Sequence, residues 1–156
     1  MNTTESLSIA EIHKEIDLLQ SCISRMASNS FLVKGWTMTL LSVLIAMLAN
    51  KTSLLVIALV VLPITFSFWS LDVFFLKTER LYRLKYEWVI QERKKGNREY
   101  LYDLNPYNEN MRINSKEETS TIKVMFSRTL LLFYGIPIAV ASITVLINLV
   151  SMLCPS

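Results

Sequence analysis

With 156 residues, 19% of them charged and 52% hydrophobic, the chain is long enough for one domain and too apolar to be disordered. Three glycines, four prolines and two cysteines exclude a collagen-like chain and a disulfide scaffold. The net charge is only +3, and the spacing of the charges decides the class: residues 35–50, 52–71 and 129–156 contain no Asp, Glu, Lys, Arg or His. Two of these runs reach the ~18 residues of a spanning helix and the other nearly does. The expected fold is an all-α integral membrane protein with three transmembrane helices. It has an N-terminal cytoplasmic coiled-coil-like helix and a long cytoplasmic extension of the second span.

In chain order, Ser8-Ile9-Ala10-Glu11 is a capping box, which satisfies free N–H groups at a helix start. Ile9, Ile12, Ile16, Leu19, Ile23 and Met26 then recur at alternating spacings of three and four, the seam of a coiled coil. Glu11, Lys14, Glu15, Asp17 and Gln20 fill other positions. The same phase continues through Val33, Leu40, Leu44 and Met47, so one helix is expected from Ser8 to Ala49, with a disturbance possible at Asn29-Ser30. Residues 1–30 form the cytoplasmic amphipathic helix, and residues 31–76 the two-span hairpin. Lys34 is expected to snorkel to the headgroups. Asn50-Lys51-Thr52-Ser53 is the polar turn; as a glycosylation sequon it sits too close to the bilayer.

The second span runs from Leu54 to Phe75, with Pro63 inside it and Trp69 near an interface. Leu81, Leu84 and Trp88, widened by Tyr82, Tyr86 and Val89, continue the helix to about Lys95. Residues 77–126 form a cytoplasmic helical segment and loop. Residues 103–115 are rich in turn-forming Asn and Pro, and Ser115-Lys116-Glu117-Glu118 is a second candidate capping box. Ile122 and Phe126 are expected to run on helically into the third span. Residues 127–156 comprise that span, with a bend at Gly135-Ile136-Pro137, and a short external tail. No secretory leader is expected.

Residues 1–35 carry three Lys/Arg, the hairpin one and residues 77–128 twelve, while the chain after residue 128 carries none. The positive-inside rule places the N-terminus in the cytoplasm and the C-terminus in the periplasm of a bacterial inner membrane. Cys22 and Cys154 then lie on opposite sides and do not pair.

The sole histidine, His13, lies on the outer side of the first helix, and no phosphate loop or nucleophile elbow is present. No catalytic residue, cofactor or metal site is expected. Asp72 is the only acid close to a span. It reads as an interfacial carboxylate paired with Lys34, Lys77 or Arg128, or as a gating residue. Thr39, Ser42, Ala46 and Ala49 on the first span, with Gly135, Ala139 and Ser142 on the third, recur at helical spacing. They suit packing within the subunit, contact between subunits or a pore lining. The seam of the first helix is covered by residues 77–95 of the same subunit, by neighbouring subunits, or by both. Arg93, Lys94, Lys95 and Arg98, followed by Tyr100 and Tyr102, form a basic patch. It reads as a solvated face near anionic lipid, or as a site for a nucleic acid, a nucleotide signal or a partner protein.

The run Arg25-Met26-Ala27-Ser28-Asn29-Ser30-Phe31 with Lys34-Gly35-Trp36 resembles small membrane proteins of bacterial anti-phage systems. So does Phe68-Trp69-Ser70-Leu71-Asp72-Val73-Phe74-Phe75-Leu76 with Glu79-Arg80-Leu81-Tyr82-Arg83. The resemblance is to the SLATT-type group and to the accessory membrane proteins of RADAR and CRISPR loci, over about residues 20–90. It implies a two-span hairpin with cytoplasmic helices, to which this chain adds a third span. It further implies a homo-oligomeric effector that permeabilises or depolarises the inner membrane when a cytoplasmic defence partner senses infection. The alternatives are a non-conducting scaffold that recruits a soluble defence enzyme, and a housekeeping small channel.

Overall fold

The computed structural model describes residues 8–49, 51–112 and 120–153. Among these the chain forms four α-helices: α1 (Ile9–Leu48), α2 (Leu54–Lys94), the short α3 (Thr121–Met125) and α4 (Arg128–Leu153). A turn of 3₁₀ helix covers Glu109–Met111. Helices α1, α2 and α4 are each long and apolar enough to cross a membrane. At 1.5 Å per residue, α1 and α2 are ~60 Å long, about twice the ~30 Å of a hydrocarbon core. Each is therefore half span and half extension.

The helix starts have local causes. Ser8 caps α1 by accepting from the Glu11 N–H, while the Glu11 carboxylate accepts from the Ser8 N–H. Helix α1 passes through Asn29-Ser30 without a break, because the Ser30 hydroxyl is turned to a partner on α2 instead of competing for its own backbone. Helix α2 continues through Pro63 and α4 through Pro137. Each proline leaves one carbonyl of the preceding turn without its amide.

Helix α2 is the axis of the fold. Helices α1, α3 and α4 and the 3₁₀ turn all pack on it, whereas α1 and α4 have no close backbone approach to each other. Three clusters make up the core. Leu19, Cys22, Tyr82, Val89 and Met111 pack at the extension end. Trp69, Val73, Val124, Leu130 and Tyr134 pack at the junction of extension and span. Leu41, Ile57, Ala58, Val61 and Ala141 pack toward the hairpin.

The seam of α1 is partly covered within the subunit: Ile9 is exposed, Ile12, Ile16, Ile23 and Met26 are half-buried, and Leu19 is fully buried, with Ile23 and Met26 packed against the cluster of Leu19, Tyr82 and Val89. The buried stripe is Glu15, Leu19, Cys22, Ser30, Val33, Thr37 and Leu41. Leu40 and Met47 point outward. Polar side chains with partners on other helices set this register. One expectation is corrected: the third span does not continue smoothly from Ile122 and Phe126. Helix α3 ends at Met125, whose carbonyl accepts from the Trp69 indole N–H at 3.3 Å. The chain then restarts as α4 at Arg128. The candidate capping box at Ser115 and the residue Cys154 lie outside the described residues.

Candidate functional site

Asp72 sits on α2 inside the apolar run Phe68–Leu76 and is fully buried. An isolated carboxylate there is untenable, so its partners are the first thing to account for. Lys34 Nζ lies 2.6 Å from Asp72 Oδ2 and donates to the Ser30 hydroxyl at 2.8 Å. Ser30 Oγ donates in turn to Asp72 Oδ1. From α4, the Tyr134 hydroxyl donates to Asp72 Oδ2 at 3.1 Å. One carboxylate therefore ties all three spans together. Lys34 and Ser30 come from adjacent turns of α1 (i, i+4), so both reach the same group.

The depth of this knot follows from the helix rise. Counting ~30 Å down α2 from Leu54 reaches about Phe74, and the same distance down α1 from Ala49 reaches about Asn29. Asp72 and Ser30 thus lie close to one hydrocarbon-core length from the hairpin turn. Exposed Phe31 and Phe74 flank them, and Lys34 remains partly exposed. Tyr134 is fully buried and stacks on Trp69, with centroids 6.2 Å apart and planes 13° apart. Thr37 Oγ1, also buried, donates to the Val33 carbonyl.

The predicted interfacial charges separate. Lys34 is the partner of Asp72; Lys77 instead donates to Thr121 Oγ1 at 2.9 Å, fastening α3 to α2. Arg128 is exposed at the start of α4. Ser30 and Tyr134 belong to the knot although apolar periodicity did not single them out. The available signal was Asp72 itself, which demands hydrogen-bond donors at its own depth on the neighbouring helices.

A second buried ion pair lies at the extension end. Arg93 donates from Nε to Glu15 Oε2 at 2.7 Å and from Nη2 to Glu15 Oε1 at 2.9 Å. Its remaining donors serve the carbonyls of Asn97 and Glu99, and its guanidinium lies 5.9 Å from the centre of the Trp88 ring. Arg93 is thus buried and departs from the basic surface patch expected for it. A bidentate carboxylate on α1 and two loop carbonyls recruit it inward. Lys95 pairs with Glu92 at 2.6 Å, Arg98 lies 3.7 Å from Glu11, and Lys94 is exposed.

The loop after α2 is fixed to this pair. Tyr102 N–H donates to Glu15 Oε1 at 3.1 Å. Tyr100 and Tyr102 have φ of 55° and 58°, a left-handed conformation unusual for tyrosine. Lys85 is fully buried and donates to the Asn105 carbonyl at 2.7 Å, with Asp103 at 3.5 Å. Burial pushes its pKa below the ordinary lysine value, against the opposing pull of Asp103. For Asp103, burial alone acts upward, but hydrogen bonds from Asn108 and Asn105 and the charge of Lys85 hold its pKa below the ordinary carboxylate value. The result is a collar of loop packed on the extended hairpin.

The small-residue stripes face outward to different degrees. Thr39, Ser42, Ala46 and Ala49 are all exposed, so α1 does not use this face within the subunit. On α4, Ala139 is exposed, and Gly135 and Ser142 are half-buried. Among the described residues no group of three His, Cys, Asp or Glu side chains is placed to hold a metal ion. Comparison with protein-family models, curated proteins and solved structures found no match.

Proposed function

We propose that the chain is an oligomeric effector of bacterial anti-phage defence that permeabilises or depolarises the inner membrane when triggered. The observation that carries the reading is the exposed stripe Thr39, Ser42, Ala46 and Ala49. Small and hydroxyl-bearing residues permit close helix contact or contact with water, and neither is needed against lipid tails. Three helices around one axis leave no room for an internal water channel, so conduction requires several copies. The defence context is supported by the resemblance of residues 25–36 and 68–83 to the SLATT-type group.

In this reading the Lys34–Asp72–Tyr134 knot holds the resting arrangement of the spans, and loosening it permits rearrangement. The N-terminus and the collar lie in the cytoplasm, where the twelve basic residues of 77–128 favour them. Helix α1 contributes Ile9, Ile12, Ile16, Ile23 and Met26 to assembly through whatever part of each the subunit leaves uncovered, while Leu19 packs within the subunit. No catalytic residue is assigned.

A second reading, a non-conducting scaffold that recruits a soluble defence enzyme, is favoured by the collar. Buried Arg93 and Lys85 of α2 and Glu15 of α1 fix its backbone, so that the collar presents a preorganised surface far from the lipid. Mass photometry of the protein in nanodiscs, with planar-bilayer current from the same preparation, separates the two. A discrete high-order oligomer with stepwise current supports the effector. A monomer or dimer without current supports the scaffold.

A further inference from the structure

Because α1 and α4 both pack on α2 without approaching each other, the molecule has an apolar furrow along α4. Its lower part, about 490 Å³, is lined by Met38 of α1 and by Arg128, Leu132, Phe133, Ile136 and Pro137 of α4. Its upper part, about 450 Å³, shares Met38, Ile136 and Pro137 and runs on to Thr144. The two are therefore continuous. Arg128 is its one charged lining residue, exposed at the lower end and making no ion pair with any described residue. Thr129 beside it is also exposed, and the first-turn amides of α4 have no acceptor within the helix.

The dimensions and the charge point to one occupant. From Arg128 to Pro137 is nine residues, ~14 Å of helix, which matches half of a ~30 Å hydrocarbon core. Arg128 lies at the level where phosphates begin, and Pro137 near the bilayer midplane. We propose that this furrow is a binding site for an anionic glycerophospholipid. Its phosphate pairs with the Arg128 guanidinium and one acyl chain lies along Leu132, Ile136 and Met38. A guanidinium presents paired donors to phosphate oxygens, and the furrow shields a chain that would otherwise slide over a convex helix. Helix α4 of a second copy matches the apolar wall but carries no acidic residue to pair with Arg128. This inference needs only that the spans lie in a bilayer, and it stands whether or not the protein conducts.

The test is native mass spectrometry of the full chain released from nanodiscs containing equal phosphatidylglycerol and phosphatidylcholine with matched chains. Wild type is expected to retain phosphatidylglycerol about fivefold over phosphatidylcholine, the scale of one basic residue beside anionic lipid. Arg128→Gln brings the ratio close to one, Arg128→Lys keeps most of it, and Ile136→Trp, which fills the furrow, lowers retention of both lipids. Circular dichroism confirms that each variant is folded. Equal retention of the two lipids by wild type overturns the proposal, as does an unchanged ratio in Arg128→Gln. Disulfide crosslinking of Ile136→Cys between copies without retained lipid also overturns it, in favour of a second chain.

Discussion

Glu15 with Arg93 and Lys34 with Asp72 both join α1 to α2, but the acid sits on α1 in the first pair and on α2 in the second. The first is saturated. Arg93 spends its donors on a bidentate carboxylate and two loop carbonyls, and both side chains are almost completely buried. The second is a shared contact among single donors: one ammonium, one serine hydroxyl and one tyrosine hydroxyl on a carboxylate, with the lysine partly exposed. A saturated pair in a packed collar has one low-energy arrangement. A carboxylate held by three single donors, one of them a partly exposed lysine, loses its contacts one at a time. The contrast predicts a more rigid extension and more adjustable spans.

Removing one partner of the saturated pair is expected to have the largest effect, because it strands the other charge in the interior. Arg93→Ala or Glu15→Ala should destabilise the protein by about 3–5 kcal/mol, measured by denaturant unfolding in detergent. It should also expose residues 97–111 to protease. A loss under about 1 kcal/mol would place the pair among weakly coupled surface contacts and erase the contrast.

Tyr134→Phe removes one hydroxyl from the membrane knot and leaves the ring stacked on Trp69. The expected loss is about 1.5–3 kcal/mol, the scale of a hydrogen bond to a charged group. Cysteine crosslinking between α2 and α4 should fall with it. An equal loss in Tyr134→Phe and Arg93→Ala would show the two regions to be equally rigid.

The smallest effect is the acid response of the collar. The pKa of Asp103 is lower in the folded protein than its ordinary 3.8, so the unfolded state binds the proton more readily. Its stabilising contribution is complete above that ordinary value and is lost as pH falls through the lower folded value. The protection of the amides of residues 103–108, measured against the intrinsic exchange rate at each pH, should therefore fall only in strong acid, and Asp103→Asn should abolish that fall. A fall in protection as pH drops from 7 to 5 would assign it to another group.

The three long helices were legible in the sequence, because charge-free runs and the Ser8–Glu11 box are local signals, but the break that separates α3 from α4 was not. Nor was the register of α1. Apolar spacing favoured Ile12, Ile16 and Ile23, whereas the buried stripe includes Glu15, Ser30 and Thr37. These polar residues turn inward because their surroundings include groups remote in sequence: Arg93 for Glu15 and Asp72 for Ser30. The Lys34–Asp72 pairing was within reach because a carboxylate in an apolar run demands a cation. Tyr134 on α4 was not, since a tyrosine near the start of a span reads equally well as an interfacial anchor. Likewise the inward turn of Arg93 depends on loop carbonyls that no residue pattern announces.

The most direct test of the adjustable knot is planar-bilayer current from Asp72→Asn and wild type at matched membrane insertion. Asparagine keeps the size and the hydrogen-bonding capacity of the side chain but removes the charge that holds Lys34. A raised frequency of conducting events in the variant is the predicted result. Current indistinguishable from wild type would contradict it and leave Asp72 a structural carboxylate only.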